Sequence, residues 1–109
     1  MDKDILLNKL INIKNAVLKT VPALKIYLFG SYAYGKPGKE SDMDIYVVIP
    51  DDFNQNITYM TENAICNIND DELPSLDLFF VKESKYLEYL TYSDFEKTII
   101  KKGIMLYGN

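Results

Sequence analysis

The stretch that decides the fold is Phe29-Gly30-Ser31-Tyr32-Ala33-Tyr34-Gly35, followed after a short loop by Ser41-Asp42-Met43-Asp44-Ile45-Tyr46-Val47-Val48. Its first part closes a short apolar strand, Lys25 to Phe29, at a Gly-Ser break. A short helix is expected over Tyr32 to Tyr34, with Ser31 as its N-cap. Gly35, Pro37 and Gly38 make the loop that follows. A second strand is expected from Asp42 to Ile49. It is nearly all apolar after its first three residues, the pattern of a strand buried on both faces. Side chains alternate across a strand, so Asp42 and Asp44 share one face while Met43 and Ile45 share the other.

Working outward, residues 2 to about 19 read as an amphipathic helix. Leu6, Leu10, Ile13 and Val17 recur at helical spacing, and Pro22 ends the region. Beyond the second strand, Pro50 to Asn54 is a turn. Residues 56 to 68 read as a helix with Ile57, Met60, Ala64 and Ile68 on one side and Cys66 as a small core residue. A loop from Asp70 to Pro74 leads to a third strand, Ser75 to Val81. A short helix is expected over 84–90. The last helix runs from Ser93 to about Lys102, with Ser93 and Glu96 spaced as a capping box and Gly103 as its stop. Ile104 to Tyr107 reads as a short final strand. The order is αβαβαβα with an extra strand, an α/β (α+β) chain forming one domain over 1–109.

Composition removes whole chemistries. The 109 residues contain no His, no Trp, a single Cys, and twelve basic residues that are all Lys. Without His there is no Ser-His-Asp or Cys-His nucleophile system. Without His and with one Cys there is no zinc site of the usual ligand set. One Cys forms no intrachain disulfide, which fits a reducing compartment. Without Arg there is no bidentate phosphate fork. No stretch approaches the roughly 20 apolar residues of a membrane span, and the N-terminal residues lack a cleavable signal pattern. A cytoplasmic protein is the expectation.

The net charge of −4 is unevenly spread. Residues 1–39 hold seven Lys against Asp2 and Asp4; residues 40–81 hold ten acids and no base; residues 82–109 hold five Lys and four acids. An acidic middle third disfavours general nucleic-acid binding, which needs a basic patch. Asp51, Asp52, Asp70, Asp71 and Glu72 read as a solvated acidic face.

Asp42, Asp44 and Asp77 read differently. Asp77 lies inside an apolar strand, between Leu76 and Leu78, where an unpaired charge is costly. If the second and third strands are neighbours, three carboxylates converge. With no base among residues 40–81, a divalent cation is the expected partner, and hard oxygen ligands suit Mg²⁺, with Mn²⁺ as the alternative. The Gly30-Ser31 junction offers free backbone N–H groups and close approach for a phosphate. Taken alone, Asp42 and Asp44 would be solvated carboxylates at a strand start, and Ser31 a plain N-cap. Their combination with Asp77 carries the metal-site reading.

Gly30-Ser31, ten intervening residues and Asp42-Met43-Asp44 resemble the signature of the DNA polymerase beta-like nucleotidyltransferase superfamily, and the fuller string is similar to its minimal nucleotidyltransferase branch. Asp77 matches the third carboxylate. The resemblance covers nearly the whole chain and implies a small mixed sheet flanked by helices. It implies that Gly30 and Ser31 hold the β- and γ-phosphates of a nucleoside triphosphate, and that Asp42, Asp44 and Asp77 are catalytic and bind two Mg²⁺ ions. Many members carry a basic residue where this chain has Tyr32 or Tyr34. Lys36 and Lys39, which from the loop alone read as solvated, are the candidates to replace that contact as point charges.

The branch also implies a partner. Its small proteins resemble the antitoxin half of a two-protein module whose companion is an all-helical HEPN-type toxin, adenylylated from ATP on a Tyr hydroxyl. Homo- or hetero-oligomers fit that picture, since little chain follows Asp77 to complete a binding site. Two other readings compete: an antitoxin acting by contact alone, and a transferase for a small molecule such as an aminoglycoside. The nine Tyr mostly read as strand and core residues with a polar tip. Tyr86, Tyr89, Leu90 and Tyr92 read equally as core or as a partner surface.

Overall fold

The computed structural model describes residues 2–38, 41–68, 70 and 72–108, and all their side chains except that of Ile57. Elements follow in the order α1 (Lys3–Thr20), β1 (Lys25–Phe29), α2 (Ser31–Tyr34), β2 (Met43–Ile49), α3 (Ile57–Cys66), β3 (Leu76–Lys82), α4 (Glu83–Tyr89), α5 (Asp94–Lys102) and β4 (Ile104–Tyr107). The four strands form one mixed sheet in the order β3-β2-β1-β4. β1 pairs antiparallel with β2 and with β4, whereas β2 and β3 run parallel. The parallel pair is possible because α3 carries the chain back between them.

β2 is central, and its side chains are buried on both faces beyond Asp44, as its continuous apolar run requires. Met43, Ile45 and Val47 pack with Leu10, Ile13 and Val17 of α1 and with Met60 and Ala64 of α3. Tyr46 and Val48 pack on the opposite face with Tyr27, Phe29, Tyr86 of α4 and Ile99 of α5. Helices therefore cover both sides of the sheet, a layered α/β arrangement. No helix of the described residues is long and apolar enough to cross a membrane.

Three local expectations need correction. The N-cap of α2 is Gly30, and Ser31 is the first helical residue. Ser93 is the N-cap of α5 but makes no side-chain bond to that helix's backbone. Its hydroxyl donates instead to the Glu96 carboxylate, because Glu96 is drawn inward and buried instead of reaching back to the cap. Cys66 is exposed and not a core residue, since Met60 and Ala64 supply the buried face of α3.

Candidate active site

The carboxylates assemble where β1 ends and β2 and β3 begin. Asp44 is paired in register with Phe29 of β1 on one side and with Asp77 of β3 on the other. In a parallel ladder such partners have side chains on the same face. Asp42 lies just before β2 and is exposed; Asp44 is half-buried and Asp77 exposed. Met43, between the two acids, is fully buried on the opposite face, which anchors the alternation that aims Asp44 at the site.

Gly30 follows Phe29 and sits against Asp44. A Cβ placed on Gly30 would lie 2.1 Å from Asp44 Oδ2 and 3.1 Å from its Cγ. The backbone also adopts φ 76° and ψ −159° there, a region essentially restricted to glycine. The residue is thus fixed twice over, by conformation and by the carboxylate occupying the space. The Gly30 carbonyl accepts bonds from the N–H groups of Ala33 and Tyr34 at 3.0 and 2.9 Å, which starts α2 directly beside the carboxylates.

Electrostatics mark Asp44 out. Burial raises its carboxyl above the usual carboxylate range, and the charges of Asp77 and Asp42 raise it further. Like charges at close quarters disfavour ionisation of the group between them. A divalent cation would reverse this penalty, and the donor set is hard oxygen, which suits Mg²⁺. The three residues fit such an ion in charge and donor type. Among the described residues, however, no three His, Cys, Asp or Glu side chains are already drawn together closely enough to hold one.

Ser31 is half-buried at the start of α2, and Lys36 is exposed in the loop after it. Lys39 lies outside the described residues, as does Asp71. Of the expected acidic face, Asp51, Asp52 and Glu72 are exposed, and Asp70 departs from it. Asp70 is ion-paired with the buried Lys9 of α1, and this bond holds its carboxyl below the usual range. Asp51 is lowered too, because its Oδ1 accepts the Ser84 N–H at 2.9 Å.

Sequence reasoning missed the layer beneath the site. Tyr46 lies two residues beyond Asp44 on the same face, and its buried hydroxyl donates to Glu96 Oε2 at 2.8 Å. Burial, followed by that bond, pushes the Tyr46 phenol strongly upward. The pair ties α5 to the central strand. Tyr86 is buried and its phenol is raised by burial and by a bond with Tyr27, so this Tyr belongs to the core; Tyr92 is exposed. Phe29, in register with Asp44, packs edge to face against Phe79 and Phe95, with ring centres 5.4 and 5.3 Å away. Phe79 was legible from the period of two after Asp77; Phe95 was not, because only the tertiary fold brings α5 there.

The structure thus sets a Gly-Ser turn at the end of β1 beside the facing Asp44 and Asp77 of β2 and β3. The family model for the nucleotidyltransferase domain matches residues 10–105, and the chain belongs to that family. Among solved structures, it is similar to a toxin–antitoxin crystallised with AMP-PNP, at 23% identity and TM-score 0.58 over 92% of this chain and 73% of that one. A mutant of the toxin–antitoxin MntA-HpeT, with two aspartates changed to glutamate, aligns at 20% identity and TM-score 0.62 over the same shares. A protein from Sulfolobus solfataricus proposed to be a nucleotidyltransferase aligns at 21% identity and TM-score 0.56, over 94% of this chain and 83% of that one. Among curated proteins none gives a significant match.

Proposed function

We propose that this chain is a Mg²⁺-dependent nucleotidyltransferase that moves AMP from ATP to a hydroxyl on a companion protein, in an antitoxin role. The observation that carries the reading is the facing of Asp44 and Asp77 with Gly30 fitted against Asp44. Gly30 and Ser31 bind the β- and γ-phosphates and fix the α-phosphorus over the carboxylate row. Asp42 and Asp44, with Asp77, would hold two Mg²⁺ ions, and this requires their side chains to turn toward one another. Such ions supply charge stabilisation for attacking and leaving oxygens. Asp77, on the outer side of the row, orients the acceptor hydroxyl and takes its proton. The acceptor oxygen bonds to the α-phosphorus, the bond to the β-phosphate oxygen breaks, and pyrophosphate leaves. Lys36 and Lys39 supply point charge to the triphosphate from the loop after α2.

The companion we propose is a HEPN-type helical toxin, on the strength of the sequence resemblance and of toxin–antitoxin complexes among the structural neighbours. The reaction would take place in the cytoplasm, where ATP and such a companion meet. Co-expression with the companion tests this. Asp44→Asn is expected to abolish neutralisation of the toxin while the two proteins still co-elute. Neutralisation undiminished in Asp44→Asn would make contact alone sufficient. Turnover of a small hydroxylated acceptor without any protein companion would move the acceptor out of the protein class.

A further inference from the structure

On the same sheet face as Asp44 and Asp77, the next row along the strands is aromatic. Phe79 follows Asp77 by two residues, an advance of roughly 6.6 Å along the strand, and pairs in register with Tyr46. Phe95, from the first turn of α5, lies over Phe29, Tyr46 and Phe79, with ring centres 5.3, 6.1 and 6.3 Å away. Phe29 and Tyr46 are buried beneath, yet Phe79 stays 37% and Phe95 47% exposed. Two phenyl rings are left open to solvent at the margin of a carboxylate site. Their backing is rigid: Phe29 supports both rings, and the buried Tyr46–Glu96 bond clamps the α5 turn that carries Phe95.

We infer that Phe79 and Phe95 form a ledge on which the base of the incoming nucleoside triphosphate stacks. The inference rests on the nucleotidyltransferase reading of the same site. The sheet face that carries Asp44 and Asp77 continues into Tyr46 and Phe79, and on this inference the nucleoside follows that face from an α-phosphorus over Asp44. The ledge occupies that direction, one strand row away. It offers aromatic surface, and among the described residues no buried side-chain polar atom is left unpaired to read a base edge, so it favours any planar base over none and discriminates weakly among bases. Stacking of this kind is sequence-tolerant because every base has a π-face.

The test compares Mg-ATP with Mg-tripolyphosphate, which carries the phosphates and no base. Because the chain has no Trp, Phe95→Trp introduces a single fluorescent indole. ATP is expected to quench that indole and tripolyphosphate to leave it bright while still competing with ATP. In calorimetric titration, Phe79→Leu and Phe95→Leu are each expected to weaken ATP about tenfold with tripolyphosphate affinity unchanged. Phe79→Tyr, which keeps a ring, is expected to bind ATP as wild type does; thermal melts confirm that each variant is folded. Equal weakening toward both ligands, or ATP affinity untouched by either Leu variant, would overturn the ledge and leave the transferase reading standing. Failure of wild type to bind either ligand would overturn both.

Discussion

Asp77 stands directly opposite Asp44 across the parallel register of β2 and β3, and its charge is one of the causes that raise the Asp44 carboxyl. The fold thus holds two acids together at a cost to itself. Because the folded-state value of Asp44 is raised, the protonated form favours folding. Its contribution is present at low pH and is lost as pH rises through the raised value. Without divalent cations, Asp44→Asn is therefore expected to melt at a higher temperature than wild type at neutral pH, with the difference vanishing in acid. Thermal melts across that range check this; a lower melting temperature for Asp44→Asn at neutral pH would contradict it.

A ligand that binds only the folded state stabilises it by mass action, about 2.7 kcal/mol at a hundredfold excess over Kd. Mg²⁺ or Mn²⁺ together with ATP is expected to raise the melting temperature of wild type by several degrees. Asp42→Asn is expected to show much less of the rise. Equal shifts in the two proteins would detach Asp42 from the site.

Gly30→Ala has two penalties. Its backbone conformation is one that alanine resists, at about 1–3 kcal/mol, and its Cβ would enter the space of Asp44 Oδ2. The expected outcome is a protein that still folds, measured by circular dichroism, and has lost transferase activity because Asp44 is displaced. Activity near that of wild type would show that the close fit between Gly30 and Asp44 is dispensable.

The Tyr46–Glu96 bond is buried at both ends. Tyr46→Phe removes one donor to a buried carboxylate and is expected to cost roughly 1–3 kcal/mol in denaturant unfolding. Glu96→Gln keeps an acceptor for Tyr46 and is expected to cost less than Glu96→Ala, which leaves the Tyr46 hydroxyl without its partner. An unchanged unfolding free energy in Tyr46→Phe would remove the pair from the account of how α5 is held.

The strands and the Gly-Ser, Asp-x-Asp positions were legible because local rules govern them. The apolar run of β2 can only be central, and the period of two puts Asp42 and Asp44 on one face. Asp44 facing Asp77 needed only the neighbouring of β2 and β3, which the helix between them suggests. Two of the failures share one cause. Ser93 and Glu96 have the same spacing whether Glu96 caps the helix or turns inward to Tyr46, fifty residues away in sequence. Likewise, Asp70 reads as solvated until α1 brings Lys9 to it. The Glu96 and Asp70 contacts are decided by distant elements, and periodicity carries no information about them. Cys66 is a different case: it lies two residues from both Ala64 and Ile68, so the helical period itself turns it away from the buried face, and it is exposed.

The most direct test of nucleotidyl transfer uses ATP labelled at the α-phosphate, incubated with the protein, Mg²⁺ and a lysate of its own cells. Wild type is expected to produce a discrete labelled protein band that Asp44→Asn does not. An absence of label with folded wild type and the companion shown to be present, or an equal band with Asp44→Asn, would contradict the assignment of Asp44 and its neighbours to catalysis.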